Sequence, residues 1–406
     1  MSELRKGNKE LIKDINRYTV LNLIREKGEI TRAEIAKRCD FGMSTLTYIL
    51  EDLQASGFIS EGGEVGSTGG RRAKVLTFNR NFAYIASVKI EEERILLALT
   101  DLDATVIIDA VIAFPEQGTP EEVAEMIMAQ IHVLLKKKRL EQTRLMGIGI
   151  AVSGLVNRKE GVVIRSTMLG WENVELANMF ATNFPNIPVL VDKNINCYAQ
   201  AELFLGEGRN TSNFVCISVG AGLGLSTVIN RHIYYGSHGG AGEFGHTTFQ
   251  VDGYPCHCGQ DGCLEMYASE FYFHNQKQEL LEKNVETTLT DFHFENVAKA
   301  AENGDKVALQ LIQTMGENLG YGIRNLINTF NPEKVIIAGE GLHHADLFIK
   351  NIQEIANRNF FSEVAIETQI TETSLGDLAW LQGAALLVIN QIFQVPIYES
   401  SQTLLK

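Results

Sequence analysis

Gly242-Glu-Phe-Gly-His246, then Cys256-His-Cys258, then Gly262-Cys263-Leu-Glu265 is the stretch from which the rest of the chain can be read. Three cysteines spaced C-x-C-x4-C, with a histidine ten residues before the first, can close a tetrahedral Cys3His site. Soft thiolates, one imidazole and no open position suit a structural Zn²⁺, so His246, Cys256, Cys258 and Cys263 are the candidate metal ligands. His257, next to a ligand on either side, fits the same tetrahedron poorly. Cys39, Cys197 and Cys216 have no such neighbours and read as core residues. Glu243 and Glu265 flank the site. Two carboxylates and an imidazole, held rigid by a metal-folded loop and projecting into a cleft, suit a polyhydroxyl ligand. Buried free thiols and surface acids are the plainer alternatives.

On either side of this stretch, strand-like runs alternate with helical ones. Residues 84–88, 95–100, 145–152, 189–191, 214–218, 225–229 and 334–338 read as strands. Residues 119–138, 196–204, 316–329 and a last segment near 380–393 read as helices. This is an α/β body, long enough for two lobes with a cleft between them. Gly220-Ala-Gly222-Leu-Gly224, between two strands, reads as a phosphate turn or a tight hairpin. No short-period repeat is present.

Charge divides the chain. The total is −14 over 406 residues, but residues 1–80 carry +3 and the remainder −17. A basic head on an acidic body points to a nucleic-acid module joined to something else. The head reads as three helices. The first, 11–27, carries an apolar stripe and stops at Gly28. The second opens on Thr31-Arg-Ala-Glu34, a capping box. The third, 44–55, buries Leu46, Ile49, Leu50 and Leu53 on one face. Its start presents Ser44, Thr45, Thr47 and Tyr48, the place from which a recognition helix meets base edges. Arg32 joins them as a DNA-binding candidate. A wing follows, its loop ending in Gly69-Gly-Arg-Arg72, where Arg71 and Arg72 suit phosphate or minor-groove contact. The alternative is a three-helix packing module with a linker. No apolar run is long enough for a membrane helix, and the polar start lacks a signal-peptide core, so a cytoplasmic protein is expected.

Taken together, these motifs resemble the ROK family of repressors, open reading frames and sugar kinases. The resemblance covers essentially the whole chain: Gly220 to Gly224, Gly236, Gly240 and Gly245-His246, then the Cys256-x-Cys258-x4-Cys263-x-Glu265 zinc motif. The head places it in the repressor branch, and Gly69-Gly-Arg-Arg72 and Tyr267-Ala-Ser-Glu270 are similar to the xylose-repressor type. The resemblance implies a winged helix-turn-helix (1–80) followed by two RNase H-like lobes of the actin/hexokinase type. The first lobe would span 81–197, joined by a C-terminal helix at 385–406, and the second 198–384. It also implies a structural Zn²⁺ on His246, Cys256, Cys258 and Cys263, and a sugar pocket lined by Thr167, Asn194, Glu243, His246 and Glu265.

The departures from the family's kinases bear on function. Val88-Lys-Ile-Glu-Glu-Glu93 replaces Asp-x-Gly-x-Thr and would repel a triphosphate. Asp192-Lys-Asn-Ile-Asn196 places Asn194 where the kinases have their general base, and an amide cannot take a proton. Val219 replaces a phosphate-turn Thr, and Thr167 stands where a sugar-binding Asn is expected. The expectation is a sugar-responsive repressor of carbohydrate-utilisation genes without catalysis. It would act as a homodimer or dimer of dimers on palindromic operator DNA, released by a sugar inducer. A sugar kinase with an accessory head, or a regulator whose body binds a partner protein, are the alternatives.

Overall fold

The computed structural model describes residues 5–65, 73–115, 118–283, 285–364 and 367–397. The head begins with α1 (Lys9–Lys27), started by Asn8, whose side chain accepts from the Leu11 amide at 2.7 Å, and ended by Gly28 at φ +72°. After β1 (Glu29–Thr31) comes α2 (Arg32–Cys39), held by the expected capping box. The Thr31 hydroxyl accepts from the Glu34 amide (3.3 Å), and the Glu34 carboxylate accepts from the Thr31 amide (2.9 Å). Asp40, left-handed at φ 53°, makes the sharp turn into α3 (Met43–Ala55); Asp is among the few side chains that tolerate that conformation. Strands β2 (Ile59–Val65) and β3 (Ala73–Phe78) form the wing, with β3 central in a sheet of order β1-β3-β2.

The body contains two sheets of one design. The first is built from β4 (Tyr84–Ile90), β5 (Arg94–Thr100), β6 (Val106–Ala113), β7 (Leu145–Val152) and β11 (Val189–Lys193) in the order β11-β7-β4-β5-β6. Helix α4 (Pro120–Lys137) covers it. An inserted three-stranded sheet of β8 (Leu155–Asn157), β9 (Val162–Ser166) and β10 (Trp171–Val174) precedes α5 (Leu176–Met179) and delivers Thr167 just past β9. Helix α6 (Asn194–Phe204) leads into the second sheet: β12 (Phe214–Val219), β13 (Leu223–Ile229), β14 (His232–Ile233), β15 (Lys334–Ala338) and β16 (Gln369–Glu372), in the order β14-β13-β12-β15-β16. In each lobe the first three strands form an antiparallel meander and the next two add in parallel. This is the expected RNase H-like pattern, used twice. The second lobe is completed by α7 (Glu265–Ala268), α8 (Glu270–Glu282), α9 (Phe294–Glu302), α10 (Lys306–Phe330) and α11 (Ile349–Ala356). No helix among the described residues is long and apolar enough to cross a membrane.

The last helix, α12 (Ala379–Ile392), returns to the first lobe and packs along α6. Of the helix expected at 385–406, residues 393–397 are not helical and 398–406 lie outside the described residues. Close approach here depends on glycine. A Cβ on Gly383 would sit 1.7 Å from the Cys197 carbonyl oxygen, and one on Gly149 2.0 Å from the Ala384 carbonyl oxygen. Gly383→Val is therefore expected to force α6 and α12 apart and to cost about 3 kcal/mol or more. A denaturant melt within about 1 kcal/mol of the parent would show that the helices can separate without loss.

The head does not hang from a free linker. Tyr18, Leu21, Ile24, Leu50 and Leu53 share one apolar cluster with Ile85, Leu102, Ala385, Ile389 and Phe393. Polar ties reinforce it. The Asn22 side-chain amide donates to the Phe393 carbonyl at 2.9 Å, and the Arg25 guanidinium lies 4.7 Å from the Phe393 ring centroid. Arg5 donates through its amide to the Ile397 carbonyl (3.0 Å) and through its guanidinium to the Pro396 carbonyl (2.9 Å).

Candidate functional site

Glu243, His246, the cysteine loop and Glu265 belong to the second lobe, between β14 and α7. The loop has little regular structure; isolated bridges pair Thr248 with Cys263 and Pro255 with Asp261. Its cysteines converge. Cys258 Sγ is 3.6 Å from Cys263 Sγ, Cys256 Sγ is 3.6 Å from His246 Nδ1, and all four donor atoms lie within 4.8 Å of one another. Thiolates about 2.3 Å from a tetrahedral zinc stand about 3.8 Å apart, so the spacing fits. Burial and the neighbouring sulfurs push the Cys263 thiol up to about 12, and burial also raises Cys256. Thiols so close cannot ionise together without a cation, and Zn²⁺ is the ion that this donor set fits. Cys197 and Cys216 are buried, and Cys39 is half-buried.

Glu265 opens α7. It is 7% exposed, and its two oxygens have separate duties. Oε1 accepts from the Leu223 amide at 3.0 Å, fixing the start of β13; Oε2 faces His257 Nε2 at 2.7 Å and His246 Nδ1 at 3.9 Å. A carboxylate only accepts, so His257 donates through Nε2. When neutral, it offers Nδ1 as acceptor to the Thr167 hydroxyl, 3.2 Å away on the other lobe. The Glu265 hydrogen bond also raises the His257 pKa. His257, read from sequence only as a poor metal ligand, is thus the residue that joins Glu265 to Thr167. No local signal marks it, because its partner is ninety residues away.

Asn194 begins α6, where its side-chain oxygen accepts from the Ile195 amide at 2.7 Å. Its neighbours anchor it. Buried Asp192 accepts from Arg158 Nε (2.7 Å), Tyr235 (3.1 Å), Asn196 (2.9 Å) and the Lys193 amide (2.7 Å). Lys193, itself buried, reaches across to the Glu243 carboxylate and to the Ala241 carbonyl oxygen (3.1 Å). Thr167 and Glu265 therefore meet through His257, His246 stands 3.9 Å from the same Glu265 oxygen, and Lys193, next to Asn194 in the chain, holds Glu243.

Val219-Gly-Ala-Gly222, the turn between β12 and β13, meets a carboxylate from its own chain. The Ala221 amide donates to Glu340 Oε1 at 2.9 Å, and a Cβ on Gly220 would sit 2.2 Å from that same oxygen. On the facing lobe, the turn between β4 and β5 carries Glu91, paired with Lys89 and Arg94, and Glu92. Burial, Glu91, Glu340 and Glu93 together raise the Glu92 pKa. The carboxylates of the two lobes thus face each other.

On the head, Ser44, Thr45 and Tyr48 are exposed at the start of α3. The Thr47 hydroxyl turns back to donate to the Met43 carbonyl (2.8 Å), and the Tyr48 hydroxyl receives Lys13 Nζ at 2.9 Å. Arg32 pairs with Glu61 on β2 at 3.3 Å, between the second helix and the wing. Arg71 and Arg72 lie outside the described residues.

Comparison with known proteins gives the same two parts. The ROK family model matches residues 85–391, and a winged helix-turn-helix DNA-binding model matches residues 13–60. The xylose repressor of Caldicellulosiruptor bescii is 30% identical over 97% of this chain and the whole of that protein. The DNA-binding transcriptional dual regulator NagC of Escherichia coli is 30% identical over 82% of each chain. A crystal structure of a ROK family transcriptional regulator, homologous to the E. coli MLC protein, superposes with TM-score 0.80 at 27% identity, covering 93% of this chain and 96% of that one. A ROK family glucokinase from Streptomyces griseus shares the fold of the body (TM-score 0.63, 24% identity, 75% of this chain and 99% of that one).

Proposed function

Since the chain belongs to the ROK family, we propose that it is a sugar-responsive, DNA-binding transcriptional repressor of carbohydrate-utilisation genes whose kinase-like body senses the inducer without catalysis. The observation that carries this reading is the single apolar core shared by the head and α12. Helix α6, which starts at Asn194, packs along α12, and α12 shares that core with the head.

The pocket would be formed by Thr167, Asn194, Glu243, His246 and Glu265, with His257 added. Carboxylates and an amide accept from and donate to sugar hydroxyls, and one zinc on His246, Cys256, Cys258 and Cys263 would supply rigidity to the loop that carries them. Ser44, Thr45, Thr47 and Tyr48 would meet bases, and Arg32, Arg71 and Arg72 the backbone. Reading a palindromic operator calls for two heads and hence a dimer or dimer of dimers. A DNA target fits a cytoplasmic protein. Xylose is the first inducer to try, given the repressors that the chain resembles, and N-acetylglucosamine the second.

Three features support a body without kinase activity. The Asn194 amide cannot take a proton, Glu340 already holds a turn amide that a phosphate would need, and Glu91 to Glu93 face it from the other lobe. The deciding experiment is fluorescence anisotropy with promoter DNA flanking the chain's own gene, with and without sugars, alongside an ATP-turnover assay. Sequence-specific binding weakened by one sugar, with no turnover, is the expected result. No specific binding, or sugar phosphorylation above background, would overturn it.

Coupling runs from α6 through α12 to α1, a contiguous packed route. Asn22→Ala combined with Phe393→Ala is expected to leave sugar affinity within about threefold and to reduce the inducer's effect on operator binding by about tenfold, roughly 1.4 kcal/mol of coupling. Calorimetry and anisotropy together measure both quantities. An intact inducer effect would place the route elsewhere.

A further inference from the structure

A second group of ligand side chains lies away from the cysteine loop, where α8 meets the start of α9. Glu270 and His274 stand one helical turn apart on α8, and His293 caps α9. Glu270 Oε1 is 3.0 Å from His293 Nδ1 and 3.6 Å from His274 Nε2, and the three donor atoms all lie within 4.8 Å of one another. We propose that Glu270, His274 and His293 form a second metal site, for a first-row transition dication such as Zn²⁺, Ni²⁺ or Co²⁺.

The chemistry of the donors selects the ion. Two imidazoles favour Zn²⁺, Ni²⁺, Co²⁺ or Cu²⁺ over Mg²⁺ and Ca²⁺, which prefer all-oxygen shells. Bonds of about 2.0–2.1 Å around a tetrahedral ion hold donors about 3.4 Å apart, and the two observed separations bracket that value. The site is also organised. Glu270 Oε2 accepts from the Phe294 amide at 2.5 Å, which leaves Oε1 directed at both rings. The two rings meet edge to face, centroids 5.4 Å apart. On its far side, His293 Nε2 lies 3.9 Å from Asp291, whose carboxylate is fixed by the His293 amide (3.1 Å) and the Asn296 side chain (2.7 Å). A carboxylate behind a ligating imidazole sets its tautomer and orientation. Two rings compete for one oxygen, an arrangement that a dication between the three donors resolves.

Three protein ligands leave a fourth position for water or an added group. The site is also tied to the turn between β12 and β13. The Glu270 amide donates to the Gly220 carbonyl at 3.0 Å, and Glu93 of the facing lobe acts electrostatically on His293. A dication there would offset the carboxylates that the two lobes turn towards each other.

The test uses untagged full-length protein already carrying its cysteine-bound metal. Titration with Ni²⁺, followed by metal analysis, is expected to show one further equivalent that millimolar Mg²⁺ does not displace. His274→Gln and His293→Gln are each expected to weaken it by roughly tenfold or more, with melting and cysteine-bound metal unchanged. No second equivalent, or one that persists undiminished in either variant, would overturn the proposal.

Discussion

Cys258→Ser is expected to yield a chain with well under one cysteine-bound metal ion and a melting temperature lower by about 10 °C, the shift that roughly 3 kcal/mol produces in a domain of 150–250 residues. The size follows from what the loop lacks. Between His246 and Glu265 there is no helix and only two isolated bridges, so its shape rests on the side chains that meet at the sulfurs. Met266, Tyr267, Phe249 and Tyr254 pack against Cys256 and Cys263 and lose their support when the loop opens. Inducer binding is lost with it, because Glu265 is two residues beyond Cys263. Binding to operator DNA is expected to survive, because the head and the α12 core that it shares lie apart from the cysteine loop. Metal analysis, melting and anisotropy test the three parts separately; full metal with unchanged melting would contradict the ligand assignment.

Glu265→Gln is the second large effect, and it separates binding from folding. The substitution keeps the shape and removes the charge. Its carbonyl oxygen can still accept from the Leu223 amide, but the new NH₂ then faces His257 Nε2, which must become an acceptor. The imidazole shifts its proton to Nδ1 and donates to Thr167, so the Thr167 hydroxyl loses its acceptor on the other lobe. Charge-assisted hydrogen bonds are worth about 1.5–3 kcal/mol, which corresponds to roughly 10- to 150-fold in inducer affinity. The expected result is a well-folded repressor that holds the operator at sugar concentrations that release the parent. An unchanged induction curve, by anisotropy against sugar concentration, would remove Glu265 from the pocket.

Local chemistry was legible and distant pairing was not. The Thr31–Glu34 capping box, the stripe on α3 and the cysteine spacing are each contained within about twenty residues, and each was readable for that reason. In sequence, His257 reads only against the metal ligands beside it, since nothing nearby names Thr167 as its partner. Glu340 belongs to the turn at Ala221 by the same kind of long-range contact. Helix α10 begins at Lys306, ten residues before the expected start at 316. Its signal was Asp305, whose carboxylate accepts from the Val307 and Ala308 amides. Gly316 and Gly320, which resemble breakers in sequence, instead let Phe348 and Ile355 approach the helix. Strand β6 alternates between half-buried and exposed, as an edge strand does, and so gave a weaker pattern than the buried strands beside it. The duplication of the lobes lies in strand order, which no repeat of residues records.

The shared core of head and α12 governs how such proteins can be recombined. A graft that moved the head to another body by one cut near residue 80 would strand Tyr18, Leu21 and Ile24 against a surface shaped for a different helix. It would also leave Arg5 and Asn22 without the carbonyls of residues 393–397. A working exchange of operator preference has to carry both ends of the chain as one piece, with two junctions instead of one. For the same reason, substitutions in the last helix can alter DNA binding while touching no base, and selection for a new operator can draw its mutations from the far end of the gene.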